Sequence, residues 1–413
     1  MEDDHVATAD TFVIVGGGLA GAKAAEALRE QGFDGRVVLV GAEVHLPYER
    51  PPLSKDYLAG RAERTSFDVH DEAWFADHDV ELKLGVEAIG INPAAHEVEL
   101  SDGSQLSYTK LLLATGSSPR RLPLPGAEVD SVHYLRTVGD SERIKETIGE
   151  GVRLVVIGAG WIGLEVASTA KQAGATVTVL EAAELPLLRV LGPELAAVFR
   201  DLHAANGVDL RFGVSSEAIE TNEGAVTGVR LADGTVIPAD AVVVGIGAAP
   251  NTKLAEAAGL TVNNGVVVDA SLRSSDPDVF AVGDIANAAH PLLGKQVRVE
   301  HWANALNQPA VAATSMLGGD AQYDELPYFF TDQFDLGMEY LGLAEEGDYD
   351  RVVYRGDVAA REFIAFWLSG NRIVAGMNVN VWDVTDPIKE LIRSGKDVDP
   401  DRLADPDVPL DQI

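Results

Sequence analysis

The chain has 413 residues and carries 32 Lys and Arg against 65 Asp and Glu, a formal net charge of −33. At ~100–200 residues per domain this is length for two or three domains, and a composition 46% hydrophobic and 23% charged is that of a folded core. The absence of cysteine excludes disulfide scaffolds, thiolate nucleophiles, Cys-held iron–sulfur clusters and Cys-x-x-Cys redox pairs.

Other absences narrow the field further. The histidines include no His-x-x-x-His pair, so no metal site is expected. The acidic surplus argues against binding a nucleic-acid backbone, which needs a basic surface; solubility or a salt-rich habitat would account for it. No apolar run reaches the ~18 residues needed to span a bilayer. Met1-Glu-Asp-Asp-His5 lacks the basic-then-apolar order of a signal peptide. The expectation is a soluble, cytoplasmic protein with no nucleic-acid or membrane partner.

In chain order, Thr11-Phe-Val-Ile-Val15 reads as a buried parallel strand. It runs into Gly16-Gly-Gly-Leu-Ala-Gly21 and an alanine-rich helical stretch, Ala22 to Glu30. Far downstream the pattern recurs: Arg153-Leu-Val-Val-Ile157, then Gly158-Ala-Gly-Trp-Ile-Gly163, then Leu164 to Gln172. In a strand–Gly-x-Gly-x-x-Gly–helix unit the first glycine makes the tight turn. The second lets the backbone approach a pyrophosphate, and the third packs helix on strand. The phosphates sit at the helix N-terminus, where free N–H groups and the dipole favour an anion. One such turn also serves ordinary packing; two in the right context read as two dinucleotide sites. Each is followed by a candidate ribose acceptor, Glu43 and Glu181. No arginine follows Glu181 in Ala182-Ala-Glu184, so NADH is expected over NADPH, although Arg189 lies further along the same loop.

The two copies differ two residues past the third glycine, at Lys23 and Glu165. A carboxylate at that point of the helix could be plain dipole stabilisation, or it could face a nicotinamide ring or a lysine. Leu46-Pro-Tyr-Glu-Arg-Pro-Pro-Leu-Ser-Lys55 reads as a proline-stiffened loop able to present Arg50 and Lys55 to a cofactor. Leu111 to Gly116 is a strand entering a small-residue turn. Val279-Phe-Ala-Val-Gly-Asp284 is a strand whose terminal aspartate either caps a helix or meets ribitol hydroxyls. Beyond residue 326, Met338 to Leu341, Arg351 to Tyr354, Glu362 to Leu368 and Arg372 to Val381 predict antiparallel strands. Pro387 to Arg393 predicts a helix beginning at the proline. Phe363, Phe366 and Trp367 are expected to pack within that sheet rather than form a partner-binding patch.

Pro47-Tyr-Glu-Arg-Pro-Pro-Leu-Ser-Lys55, Gly158-Ala-Gly-Trp-Ile-Gly-Leu-Glu165 and Glu300-His-Trp302 resemble the FAD- and NADH-dependent ferredoxin reductases of the putidaredoxin reductase and rhodocoxin reductase type. These belong to the pyridine nucleotide-disulfide oxidoreductase superfamily but lack its redox cysteines. The resemblance implies an α/β fold with two Rossmann-like, glutathione-reductase-like domains and a C-terminal α+β domain. The FAD-binding domain would comprise residues 10–118 and 250–325, the NAD-binding domain 119–249, and the C-terminal domain 326–413. Gly16, Gly18, Ala20 and Gly21 would hold the FAD pyrophosphate. Arg50, Thr115 and Gly116 would line the FAD site, Arg136 its phosphate region, Asp284 its ribitol, Trp302 its pyrimidine edge and Ala88 its adenine. Gly158, Gly160, Ile162, Gly163, Glu181 and Gly247 would hold NADH. Lys55 and Glu165 would pair at the hydride-transfer locus as the catalytic residues. The chain departs from the family where Ala42 replaces the usual ribose carboxylate, leaving Glu43 or the backbone to serve. It departs again where Pro327-Tyr-Phe-Phe-Thr-Asp332 offers Phe330 in place of a tryptophan.

The activity implied is transfer of electrons from NADH through FAD to a ferredoxin-type iron–sulfur protein serving a monooxygenase or ring-hydroxylating dioxygenase. A flavin-only NADH oxidase or diaphorase would use the same scaffold. A partner-recruiting binding protein is the third reading, disfavoured by the acidity. Arg50, Arg273 and Arg298 are candidates for a basic docking patch.

Overall fold

The structure is a computed structural model describing residues 10–345 and 347–413. The acidic stretch Met1–His5, for which the sequence predicts no signal peptide, lies outside the described residues. Contacts divide the chain into two units: residues to 49, 64–118 and 249–325 in the first, and residues 50–63, 119–248 and 326–413 in the second.

The first unit is built on a five-stranded parallel sheet in the order Val279–Ala281, Lys110–Leu113, Thr11–Val15, Arg36–Gly41, Val80–Leu84. Val13, Ile14, Val37, Val38 and Leu39 have no exposed surface, which is what β-branched runs achieve when both sheet faces are covered. The helix Leu19–Glu30 buries Ala22, Ala24, Ala25 and Ala27, whose small side chains let it lie close to the sheet. Two three-stranded sheets complete the unit, one from Ala88–Asn92, Glu97–Leu100 and Gln105–Ser107, the other from Val266–Val268, Ala286–His290 and Lys295–Val297.

The second unit repeats the plan. Its parallel sheet runs Asp209–Phe212, Thr176–Glu181, Arg153–Ile157, Ala241–Val244, Val132–His133, with the helix Trp161–Gln172 following the central strand. Four strands of each sheet therefore share one order about the glycine-turn strand, the fifth being supplied late in the chain by Val279–Ala281 in the first sheet and early by Val132–His133 in the second. In each the glycine turn leaves the carboxyl end of the central strand, the place where open α/β sheets bind ligands. Both glycine-turn helices start earlier than the pattern suggests, at Leu19 and Trp161, because the turn's last glycine already lies inside the helix.

Residues 326–413 contribute an antiparallel sheet ordered Tyr328–Gln333, Leu336–Gly342, Arg372–Val379, Glu362–Ser369, Arg351–Asp357. Phe363, Phe366 and Trp367 are fully buried in it and so are packing residues. The apolar core runs on from Leu154, Leu164 and Val179 to Met338, Phe363 and Trp367. The predicted helix at Pro387 begins two residues sooner, at Thr385, and runs to Ser394. Proline therefore occupies its third position, still within the turn whose N–H groups have no helical partner.

Two local features matter for the site. Residues 50–63 belong to the second unit, where the Ser141 hydroxyl donates to the Leu53 carbonyl (2.7 Å) and the Thr169 hydroxyl to that of Ser54 (2.9 Å). The segment Leu188–Ala205 is broken at Gly192 (φ +76) just before Pro193, and its second stretch carries His203 into the interior.

Candidate functional site

In the first unit, the glycines of Gly16–Gly21 have distinct jobs that the geometry separates. A Cβ on Gly16, at φ +131, would stand 2.1 Å from the Ala114 carbonyl oxygen, and one on Gly21 would stand 1.9 Å from that of Gly16. A Cβ on Gly18 would meet nothing within 4 Å. Two glycines are thus required by the protein's own packing, while the middle one faces open space at the N-cap of Leu19–Glu30. That is the cradle a pyrophosphate needs, so these residues fit a dinucleotide.

Several predicted FAD residues surround this turn's sheet. The Ser117 hydroxyl donates to Asp284 Oδ2 (2.7 Å), and the Gly283 N–H donates to Gln308 Oε1 (2.7 Å), so the Gly283–Asp284 turn is held from both sides. Asp284 therefore lies in a short 3-10 turn, Gly283–Ile285, rather than capping a long helix. Thr115 and Gly116 are clamped by Asn251: its Nδ2 donates to the Thr115 carbonyl (2.7 Å) and its N–H to that of Gly116 (3.0 Å). Asn251 was not singled out by sequence, having no motif of its own. Glu43 accepts a hydrogen bond from the Tyr48 hydroxyl at 2.5 Å. Ala88 opens the strand Ala88–Asn92, and Trp302 opens the helix Trp302–Met316. His301, its N-cap, is half-buried; desolvation pushes its imidazole pKa down to about 4, with Asp284 opposing.

In the second unit the same division recurs. A Cβ on Gly158 (φ +102) would stand 2.4 Å from the Gly245 carbonyl oxygen and one on Gly163 2.2 Å from that of Gly158. The nearest atom to a Cβ on Gly160 is 3.8 Å away. Glu181 closes the strand Thr176–Glu181 and accepts from the Ala159 N–H (2.7 Å) and the Ala183 N–H (2.8 Å). Its carboxylate thus braces the glycine turn and still offers lone pairs to a ribose diol. Ile162 is exposed beside Gly160, and the Gly247 carbonyl accepts from the Arg120 N–H (2.9 Å).

Glu165 is the chemical centre of this unit. It lies beyond the first turn of Trp161–Gln172, so the dipole reading gives way to its side-chain partners. The carboxylate, only 3% exposed, accepts from the Ser54 hydroxyl (2.5 Å) and the Thr331 hydroxyl (2.6 Å) and pairs with Lys55 Nζ at 2.9 Å. Ser54 and Thr331 were not singled out by sequence, although both lie inside segments that were, Pro47–Lys55 and Pro327–Asp332. Phe330 sits with its ring centroid 5.3 Å from Lys55 Nζ, a cation–π contact. A buried, hydrogen-bonded ion pair on the helix that follows a phosphate cradle can hold a fixed charge in a water-poor place.

The Arg50 guanidinium donates to the Arg136 carbonyl. Arg136 itself precedes the capping box of Val138–Thr147, in which Asp140 accepts from the Thr137 N–H (2.7 Å). Of the docking candidates, Arg298 donates to the Asp284 carbonyl (3.2 Å) and to Glu300 (2.8 Å), and Arg273 lies 5.5 Å from the Phe280 ring.

Residues 10–308 match the family model described as pyridine nucleotide-disulphide oxidoreductase, and residues 328–413 match a reductase C-terminal domain. The ferredoxin–NAD(+) reductase component of the anthranilate 1,2-dioxygenase system from Burkholderia cepacia is 43% identical over 98% of this chain and 99% of its own length. Putidaredoxin reductase from Pseudomonas putida is 41% identical over 98% of this chain and 96% of its own. A crystal structure of a covalent putidaredoxin reductase–putidaredoxin complex superposes with a TM-score of 0.94 at 40% identity, covering 98% of this chain and 97% of that one. The chain belongs to the pyridine nucleotide-disulphide oxidoreductase family, in its branch of FAD- and NADH-dependent ferredoxin reductases. With no cysteine, it is a member without disulfide chemistry.

Proposed function

We propose that this chain is the reductase of an oxygenase system: it takes electrons from NADH and passes them, through FAD, to a ferredoxin-type iron–sulfur protein. The observation that carries this is the pair of glycine turns, each closed by its own backbone at the outer glycines and open at the middle one. Bound FAD accepts both electrons of a hydride and releases them singly, which NADH cannot do. The Gly16–Gly21 turn holds the FAD pyrophosphate, and Asp284 and Ser117 meet its ribitol. The Gly158–Gly163 turn with Glu181 holds NADH, a carboxylate at that place repelling the 2′-phosphate of NADPH. Lys55 and Glu165 place opposite charges, 2.9 Å apart, along the helix that begins at the NADH phosphates. Their role is to orient and to fix charge where the hydride leaves, with water excluded by Phe330 and the buried Thr331.

Two supports come from outside the site. Relatives of near-full-length coverage are named as reductase components that work with dioxygenases and with putidaredoxin. No helix among the described residues is long and apolar enough to cross a membrane, in keeping with a cytoplasmic place for the reaction. The net charge of −33 slows encounter with an acidic ferredoxin at low salt, so electron delivery should quicken as salt is raised. The test is anaerobic titration with NADH followed by addition of candidate ferredoxins. Bleaching of the flavin by NADH and fast reoxidation by ferredoxin, with slow reoxidation by oxygen, is the expected result. Fast oxygen consumption that ferredoxin leaves unchanged would replace this reading with the flavin-only oxidase.

A further inference from the structure

The Thr331 hydroxyl that donates to Glu165 is the end of a longer buried chain. Gln333 Nε2 donates to Thr331 Oγ1 (3.1 Å), and His203 Nε2 lies 2.8 Å from Gln333 Oε1. Thr331 and Gln333 are 1% exposed and His203 not at all. The participants come from three separate elements: the glycine-turn helix Trp161–Gln172, the kinked segment Leu188–Ala205 and the strand Tyr328–Gln333. Thr331 and Gln333 are two apart on that strand and so face the same side.

We propose that His203, Gln333 and Thr331 are positioning residues: a one-way hydrogen-bond relay that aims the Thr331 hydroxyl at Glu165 and so sets the place of the Glu165–Lys55 pair.

The direction follows from donor counting. A carboxylate only accepts, so the single Thr331 proton points at Glu165 and the Thr331 oxygen is left to accept. Gln333 must then turn its NH₂ toward Thr331 and its carbonyl toward His203. A carbonyl accepts only, so His203 must donate from Nε2. Neutral His203 is then the Nε2–H tautomer, and its Nδ1 has no hydrogen-bond partner. Burial favours that neutral form by pushing its pKa down. With Nδ1 unpartnered, the ring's hydrogen bond is the one to Gln333, and it is the one that orients the amide. Reversing the amide would turn the Thr331 proton toward Gln333 and take a donor from Glu165.

The inference rests on the proposed function for its consequence in catalysis but not for its geometry, and the test keeps the two apart. In the holoenzyme, flavin reduction by NADH would be followed by stopped flow for Thr331→Val, Thr331→Ser and Gln333→Leu, with NADH dissociation constants and FAD content measured alongside. Thr331→Val and Gln333→Leu are expected to slow flavin reduction by about tenfold or more, as a displaced charge pair would. NADH affinity and FAD content should stay within about twofold, and Thr331→Ser, which keeps the hydroxyl, should restore the rate. In ¹⁵N-histidine-labelled parent protein, His203 is expected to show the Nε2–H tautomer, and Gln333→Leu to perturb that signal. An Nδ1–H tautomer in the parent overturns the relay even if a variant fails to fold. Unchanged flavin reduction in a folded Thr331→Val protein overturns its link to the pair. A parent that NADH does not reduce counts against the proposed function and leaves the histidine spectra to judge the relay.

Discussion

The two glycine turns share the order of the four strands around them, a helix and a pattern of closed and open glycines, and they part company one turn into the helix. In the first, Lys23 lies at a partly exposed surface, with its Nζ 2.5 Å from Glu26, which His70 also approaches at 2.7 Å. In the second, the equivalent Glu165 is buried and gathers Ser54, Lys55 and Thr331. Their ribose candidates differ as well. Glu43 is tied to a side chain, Tyr48, whereas Glu181 is tied to the backbone of the glycine turn itself. The lesson is a division of labour. Backbone geometry makes a phosphate cradle and repeats wherever the motif does, while the side chain just beyond it decides whether the helix carries chemistry or only packs.

The comparison can be broken most severely at the turns. Gly21→Ala puts a methyl 1.9 Å from a carbonyl oxygen, so it should cost about 3 kcal/mol or more of apo-protein stability by urea unfolding. Gly18→Ala should leave apo-protein stability nearly unchanged yet lose FAD, because its Cβ points only into the open cradle. Equal destabilisation by both would mean that the middle glycine serves packing after all.

The next largest effect belongs to the buried pair. Glu165→Leu strands a mostly buried lysine cation and should destabilise the protein by about 3 kcal/mol, with Lys55→Met in the same chain restoring much of it. Lys55→Ala and Glu165→Ala should slow flavin reduction far more than they weaken FAD retention. Reduction at the parental rate in both would place the pair away from the reacting centre.

A third test uses pH. His301 titrates at about 4 in the folded protein against an ordinary 6.5. Below pH ~6.5 the unfolded chain therefore binds a proton that the native state refuses. Stability should fall as pH drops from about 6.5 to about 4, by up to about 1.4 kcal/mol per unit from this one group. Denaturant unfolding of the apo-protein at several pH values should show a shallower decline for His301→Gln; an identical decline would assign the acid sensitivity elsewhere, for example to His203 or His133, whose pKa values burial also lowers.

The smallest effect is expected at the second ribose site. Glu181→Ala removes one acceptor for a bound diol and the brace of the Ala159 N–H, worth about 1 kcal/mol, or a rise of roughly fivefold in KM for NADH. An unaltered KM would leave the carboxylate as a brace alone.

Much of this protein is determined by the sequence read in short windows. The strand–glycine–helix units, the acids that follow them and the proline-stiffened Pro47–Lys55 loop are local, because turn sterics and period-two burial act over a few neighbouring residues. Only the tertiary structure decided that Glu165 is buried rather than a helix-end charge, that Ser54 and Thr331 flank it, and that Arg298 is bonded to Asp284 and Glu300. Glu165 and Thr331 stand 166 residues apart, and His203 and Gln333 130. Hydrogen bonds over such separations arise from how strands and helices close a shared core, and nothing in the residues adjoining either partner records the other.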